Sequence, residues 1–330
     1  MSKKRNLGVK LLMVALGATL ILSCFAGCTA TEEKPTLVFA DLTWDSAMFH
    51  NRIAGFILEN GYGYETDYIP GSTIPLFSGL AAGEIDISME IWVDNQKDAL
   101  DAAIEAGNVV DLGPNFEGSW QGWLVPTYMI EDGDLPADIS VDSISDYWEL
   151  FKDPEDPTKG RFYNGDPGWA CTGIDVIKFE THGLYESFNI FTAGSTEALN
   201  ASMLSAYESR EPWFGYYWSP TYLLGKLDMT VVAEPSYDQA VWDENHGCAY
   251  TDVPIHIAIN TNLMDKAPEV VSFLSKYETT SEMTSKALVY MDDNDASYDE
   301  AAVWFLQEYE STWTQWVPDD IADNIKAALP

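Results

Sequence analysis

Basic residues are scarce in this chain, which has 17 Lys and Arg against 53 Asp and Glu and a formal net charge of −36 at pH 7. A protein this acidic repels a phosphate backbone, so nucleic acid is excluded as a partner. The composition is typical of a surface that stays soluble in strong salt. Because charges are screened over about 8–10 Å in a saline medium, long-range attraction of cations is a minor effect.

Cysteine and histidine are also rare, with four residues of each type. After the first 28 residues the cysteines are Cys171 and Cys248, which in an oxidising compartment can pair or stay free. The four His are scattered, without the paired spacing of a metal site. GxSxG, P-loop and GxGxxG motifs do not occur in the sequence. The sequence therefore predicts no metal, no cofactor and no catalytic activity.

The apolar run from Leu11 to Leu22 is shorter than the roughly 20 residues that a membrane span needs. It follows four basic residues and leads through small residues to Cys28, which is the pattern of an export signal. Residues 25–28 (FAGC) resemble a lipobox, in which a signal peptidase cuts before a cysteine that then carries a diacylglycerol.

This pattern predicts a lipoprotein signal peptide at residues 1–27, lipidation of Cys28 and a short polar tether at 28–35. Residues 21–24 (ILSC) are a second, weaker lipobox candidate, and an uncleaved membrane anchor is the alternative. In each case the rest of the chain is expected outside the cytoplasm. The lipobox predicts that a lipid anchor holds it at the cell membrane.

Strands and helices alternate in the segment that follows the tether. Periodicity predicts strands at 36–40, 62–69 and 85–89 and helices at 48–60 and 74–82. This order is typical of a doubly wound α/β sheet. Ligands bind beyond the carboxyl ends of the strands in such sheets.

The roughly 300 residues after the signal suit two lobes of about 100–200 residues each. We expect residues 36–126 and 236–330 to form lobe 1 and residues 127–235 to form lobe 2. Cys171 then falls in lobe 2 and Cys248 in lobe 1. A disulfide between them would cross the cleft and resist its closure.

Tryptophan is abundant, with 12 residues in the chain. Trp44, Trp92 and Trp218 each follow or end a predicted strand, and Trp169 lies in a Gly/Pro turn, so these four are expected to line the ligand cleft. A quaternary ammonium has no N–H to donate and spreads its charge over methyl groups, and the indole face is the best receptor for it. Four other tryptophans lie at helical spacing among apolar residues and are assigned to the core: Trp148, Trp304, Trp313 and Trp316.

A second chemical feature is the turn at residues 165–173 (GDPGWACTG), which leads into a predicted helix. Backbone N–H groups and the helix dipole favour an anion at such a helix start. The sequence thus predicts one subsite for a methylated cation and another for a carboxylate.

Four segments, taken in order, resemble the glycine betaine-binding proteins of ABC importers, and the similarity extends over most of residues 36–318. The segments are AGEID followed by IW at 82–92, PGWAC at 167–171, YYWSP at 216–220 and VPIH at 253–256. The resemblance implies an α/β, two-lobed type II periplasmic-binding-protein fold with the ligand cleft between the lobes.

The same resemblance assigns the site residues. It implies that Trp92, Trp169 and Trp218 form the ammonium cage and that the backbone amides of Ala170 and Cys171 hold the carboxylate. It also implies that the protein delivers its ligand to the membrane subunits of an ABC importer for uptake in osmoprotection.

Two departures from the family pattern keep the exact ligand open. Some members place a His four residues after the first cage tryptophan, where this chain has Gln96, which donates without charge. Choline binders use a Trp near the first strand with an Asp two residues on, whereas Trp44 is followed by Asp45 and then Ser46. We expect glycine betaine or a related betaine, with choline or carnitine as alternatives. A carbohydrate-binding lipoprotein is a further alternative, since sugars also stack on indoles.

Overall fold

The computed structural model describes residues 34–330. The predicted signal peptide, Cys28 and nearly all of the predicted tether lie outside the described residues. Residues 36–330 form one compact unit. Within the described part of the chain, no helix is long and apolar enough to cross a membrane.

Nine strands occur among the described residues. In chain order they are β1 Leu37–Leu42, β2 Thr66–Gly71, β3 Ile87–Trp92, β4 Val109–Pro126, β5 Gly160–Asn164, β6 Phe188–Thr192, β7 Gly215–Ser219, β8 Met229–Val231 and β9 Val253–Asn260.

The α-helices of residues 34–330 alternate with these strands in the first half of the chain and cluster near its end. They are α1 Asp45–Phe56, α2 Thr73–Ala82, α3 Lys97–Glu105, α4 Tyr128–Glu131, α5 Ala170–Thr181, α6 Thr196–Ser209, α7 Gln239–Asn245, α8 Leu263–Lys266, α9 Pro268–Leu274, α10 Ser281–Asn294, α11 Tyr298–Glu308, α12 Glu310–Trp313 and α13 Asp319–Ala328. Three 3₁₀ helices lie at Ile144–Phe151, Leu184–Glu186 and Leu223–Gly225.

The strands follow the order β2-β1-β3-β9-β4-β7-β5-β6, with β8 paired to β4. In the first half of this sheet β1 runs parallel to β2 and β3, whereas β9 is antiparallel to β3 and β4. In the second half β5 runs parallel to β6 and β7. The predicted α/β class and two-lobed architecture are confirmed. The two halves of the sheet are the centres of the two lobes.

Strand β4 belongs to both halves of the sheet. Its segment from Val109 to Ser119 pairs with β9, and its segment from Trp120 to Pro126 pairs with β7 and β8. The chain therefore enters the second half within β4, earlier than the predicted crossing at residue 127.

The return crossing lies later than the predicted residue 236. Lys178 of α5 donates to the carbonyl of Cys248, and Tyr250 donates to Asp175 of the same helix. Because these contacts fix residues 239–250 to the second half of the sheet, we propose lobe 1 as residues 36–119 and 253–330 and lobe 2 as residues 120–252.

Individual elements follow the sequence pattern, with differences at their ends. Helix α1 continues as a π-helical turn to Tyr62, and Gly63 at φ +72° ends it, so β2 begins at Thr66 rather than at residue 62. Among the tryptophans assigned to the core, Trp313 and Trp316 are buried at 0% and 3% exposure. Trp148 and Trp304 are only half-buried, because each lies at the edge of its hydrophobic cluster.

A buried ion pair ties α5 to the segment before α7. The Lys178 ammonium is fully buried, 2.6 Å from a carboxylate oxygen of Glu234 and 2.5 Å from the carbonyl oxygen of Cys248. Lys178→Met is expected to destabilise the protein by about 3–5 kcal/mol, because it leaves Glu234 buried without its partner. Denaturant unfolding measures this loss. The double variant Lys178→Met/Glu234→Leu is the control and should recover much of the stability; a single variant as stable as the wild type would contradict the assignment.

Candidate ligand-binding site

A cavity lies between the lobes, and four tryptophans line it. Lobe 1 contributes Trp44 and Trp92, and lobe 2 contributes Trp169 and Trp218. All four are buried, with 4–7% of their surface exposed.

Strand ends position the two tryptophans of lobe 1. Trp44 is the N-cap residue of α1, two residues after β1 ends, and Trp92 is the last residue of β3. Because β1 and β3 are parallel neighbours, their carboxyl ends meet at one edge of the sheet. Both indoles therefore reach the cleft from the same edge.

Lobe 2 repeats this arrangement with its own parallel neighbours. Trp169 is the N-cap residue of α5, which follows β5, and Trp218 lies near the end of β7. β5 and β7 are parallel, so these two indoles also meet at one edge. Residues distant in sequence thus close the cavity from both sides.

The indole ring of Trp169 stands at right angles to those of Trp44 and Trp218. The ring centroids of Trp44 and Trp169 are 5.9 Å apart at an interplanar angle of 89°, and those of Trp169 and Trp218 are 5.0 Å apart at 85°. Edge-to-face contacts of this kind are favourable and turn neighbouring ring faces in different directions. A box of such faces suits a tetrahedral methylammonium group, whose charge is spread over its methyl surface.

The polar end of the cavity is built around the first turn of α5. Ala170 and Cys171 are the first two residues of this helix and line the cavity. The N-cap side chain is the indole of Trp169, which can only donate a hydrogen bond and so cannot satisfy the first amides as Ser or Asp would. Gln96, the N-cap residue of α3 at 9% exposure, lines the same cavity from lobe 1.

All seven residues predicted for the site therefore line one cavity. Residues 35–308 match the family model of the substrate-binding domain of ABC-type glycine betaine transport systems. The chain belongs to this family. It is accordingly a substrate-binding protein of an ABC transporter. The family is extracytoplasmic and functions in transport.

Individual relatives of this substrate-binding protein are distant in sequence. The trimethylamine N-oxide-binding protein of Pelagibacter ubique is 22% identical over 316 residues, covering 92% of this chain and 98% of the relative. The glycine/betaine/L-proline-binding protein of Borrelia burgdorferi superposes with a TM-score of 0.74 at 18% identity, covering 88% of this chain and 99% of that one. An ABC-transporter choline-binding protein in complex with choline gives a TM-score of 0.75 at 19% identity, covering 89% and 98%.

Three further residues line the cavity of the binding protein and were not predicted: Thr73, Asn95 and Tyr216. Tyr216 lies two residues before Trp218 on β7, so both side chains fall on the same face of the strand, with ring centroids 6.2 Å apart and nearly parallel. The period-2 rule applied to the YYWSP segment would have identified it. Burial raises the pKa of Tyr216 well above its ordinary value, so its hydroxyl stays protonated and donates to Gln121 at 2.9 Å.

Hydrogen bonds between the lobes surround the cavity. Asn95 of lobe 1 and Gln121 of lobe 2 exchange two amide hydrogen bonds, at 3.1 and 3.0 Å. Other cross-cleft bonds run from Ser72 to the Asp166 carboxylate, from the Ile74 amide to the Gly168 carbonyl and from the Thr196 hydroxyl to the Thr43 carbonyl. The lobes are therefore closed over the site in this structure.

Gly168 is required for this closure. A Cβ atom at residue 168 would lie 2.4 Å from the Ser72 Cβ on the opposite lobe, which is much closer than van der Waals contact. Glycine thus lets the two backbones approach beside the cage.

Both cysteines in the described part of the chain are free and buried. The carbonyl of Cys248 accepts a hydrogen bond from Lys178 of α5, so we propose that Cys248 belongs to lobe 2 rather than to lobe 1. A disulfide between Cys171 and Cys248 would therefore not cross the cleft. Burial raises the pKa of the Cys171 thiol above its ordinary value, so this cavity-lining thiol is protonated.

Proposed function

We propose that this protein captures glycine betaine in the tryptophan cage and delivers it to the membrane subunits of an ABC importer for uptake in osmoprotection. The observation that carries the proposal is the convergence of Trp44, Trp92, Trp169 and Trp218 on one buried cavity. A desolvated cation–π contact is worth about 2 kcal/mol, so three faces supply roughly 6 kcal/mol. This alone corresponds to a Kd of about 10⁻⁴ to 10⁻⁵ M.

The first turn of α5 supports a ligand that also carries a carboxylate. The amides of Ala170 and Cys171 stand at the positive end of a 12-residue helix, where an anion is favoured. Gln96 adds an uncharged donor from the other lobe. A betaine satisfies both ends of the cavity, and its carboxylate adds to the affinity that the cage provides.

The choline alternative lacks its expected hydroxyl partner. The Asp45 carboxylate accepts a hydrogen bond from Tyr298 at 2.8 Å and borders a different surface pocket, beside Tyr222 and Asp292. Ser46, two residues after Trp44, has a hydroxyl that interacts with Glu90. Neither side chain lines the cage, which favours a betaine over choline.

We propose further that Cys28 carries a diacylglycerol and that residues 28–35 tether the domain to the outer face of the cell membrane. The basic and apolar pattern of residues 1–27 supports this placement. The lipid keeps the closed, loaded protein close to the importer, which raises its local concentration at the transporter.

A titration of intrinsic tryptophan fluorescence, with calorimetry to give Kd, tests the proposed function. The protein is titrated with glycine betaine, carnitine, choline, trimethylamine N-oxide and maltose. We expect glycine betaine to bind most tightly, the other methylated compounds more weakly, and maltose not to bind. A response to maltose with none to any methylammonium compound would overturn the proposal.

A further inference from the structure

A buried carboxylate lies directly behind the cage. Glu90 is on β3, two residues before Trp92 and therefore on the same face of the strand, and its exposure is 1%. Trp44 donates its indole N–H to the Oε2 atom of Glu90 at 2.6 Å. One buried carboxylate thus contacts the cage without lining the cavity.

Trp92 and Ser46 also interact with the Glu90 carboxylate. Burial raises the pKa of Glu90 to about 7, while hydrogen bonding from Trp44, Ser46 and Trp92 favours the ionised form. Among the described residues, neither Lys nor Arg forms an ion pair with Glu90, and its Oε1 atom is buried without a hydrogen bond of normal geometry. The charge of Glu90 is therefore left without a protein counter-ion.

An anion in this position strengthens an aromatic cage in two ways. A carboxylate that accepts an indole N–H pushes electron density into the ring and makes its face more negative. Its charge also attracts a cation bound on the face of the ring, and in a water-excluded site that attraction is weakly screened.

We propose that Glu90 is the counter-charge of the ligand's ammonium group, acting through the indoles of Trp44 and Trp92, and that it makes the site select cations over neutral molecules of the same shape. This inference rests on the proposed function and names a positioning and charge-selecting residue within that site. Glu90 does not line the cavity, so it acts on the ligand through the rings rather than by contact.

A pH dependence follows, with a defined sign. Glu90 is ionised above its pKa and neutral below it, so affinity for a methylammonium cation should be constant at higher pH and fall as the pH decreases through about 7. His50 and Tyr277, a hydrogen-bonded pair near Glu90, do not change charge in this window. Burial lowers the pKa of His50 to about 3 and raises that of Tyr277, its hydrogen-bond partner, well above 10. Because a bound cation favours ionised Glu90, the affinity starts to fall near the pKa of the ligand-free protein and levels off below the lower pKa of the complex.

The test compares Glu90→Gln with the wild type on two ligands of the same shape. Glycine betaine has a quaternary nitrogen, and 3,3-dimethylbutanoate has a carbon atom in its place. Glu90→Gln should weaken the binding of glycine betaine by about tenfold or more, because a unit charge within about 12 Å of the cation contributes at least that much at an effective dielectric of about 20. The Kd for 3,3-dimethylbutanoate should stay unchanged or decrease, because the substitution removes the repulsion between the Glu90 carboxylate and the carboxylate of this ligand. Calorimetry, or competition for the weaker ligand, measures both.

Glu84→Gln is the matched control, since Glu84 is exposed and lies in the turn before the same strand. It should change neither Kd. If Glu90→Gln damaged the structure, the binding of both ligands would weaken together. That result would overturn the proposal, and so would an unchanged Kd for both ligands.

The pH profile of the wild type gives the same test without a variant: the affinity for glycine betaine should fall from pH 8 to pH 6, while the affinity for 3,3-dimethylbutanoate should not. A wild type that binds no methylammonium compound at any pH would instead contradict the proposed function itself.

Discussion

Trp169→Ala is expected to raise the Kd for glycine betaine by about thirtyfold or more. One desolvated cation–π face is worth about 2 kcal/mol, which corresponds to roughly thirtyfold in affinity. Trp169 also packs edge-to-face against both Trp44 and Trp218, at 5.9 and 5.0 Å, so its removal frees two further walls of the cage. Calorimetric titration of the purified variant measures the effect. Trp92→Ala and Trp218→Ala should each cost at least about tenfold.

Trp304→Ala is the control for this series. Trp304 is half-buried and stacks on Tyr290 at 4.7 Å, in lobe 1 and outside the cavity. Its loss should leave the Kd for glycine betaine unchanged, although it can lower the melting temperature. If Trp92, Trp169 and Trp218 variants that remain folded all bound like the wild type, the cage assignment would be wrong.

Ala170→Pro is expected to lower the affinity for glycine betaine by about ten- to a hundredfold while preserving helix α5. Ala170 is the first residue of the helix, where proline is well tolerated because the N–H it removes has no partner within the helix. Trp169 has φ −82° and ψ 143°, which a residue before proline can adopt. The substitution therefore deletes one donor to the carboxylate, a charge-assisted hydrogen bond worth about 1.5–3 kcal/mol.

Two comparisons separate the lost donor from the added bulk of the proline ring. Ala170→Val adds similar bulk and keeps the N–H, so it should bind glycine betaine more tightly than Ala170→Pro does. Tetramethylammonium has no carboxylate, and its affinity should differ little between the two variants. Equal losses for glycine betaine and tetramethylammonium in Ala170→Pro would count against a carboxylate at this helix start.

The cage was predictable because its tryptophans follow strands, and the topology makes those strands parallel neighbours within each lobe. Trp44 and Trp92 follow β1 and β3, and Trp218 lies at the end of β7. Local sequence identifies a strand end, and the α/β pattern then predicts which edge it occupies. Four residues far apart in the chain could therefore be assigned to one cleft.

The lobe boundaries were not predictable from composition, because the first crossing lies inside a continuous 18-residue strand. β4 changes partners from β9 to β7 without a Pro/Gly linker of the kind that marks domain boundaries. The register shifts beside Gly113 and Gly118, both at positive φ, bend the strand before it changes partners. Within the sequence these glycines are indistinguishable from ordinary turn residues.

Glu90 was missed for a related reason. It is a single acid in a strand that is otherwise apolar or small, and its partner Trp44 lies 46 residues away. The contact exists only because β1 and β3 are adjacent. Sequence reasoning could place Trp92 at the cleft, but the group that supports two cage indoles became visible only through the strand pairing.

A crystal structure of the protein with glycine betaine tests the central claim most directly. The account predicts the quaternary nitrogen within about 6 Å of the ring centroids of Trp92, Trp169 and Trp218. It also predicts the carboxylate at hydrogen-bond distance from the backbone amides of Ala170 and Cys171. A ligand bound outside this cavity, or one whose methyl groups face away from the indoles, would contradict the account.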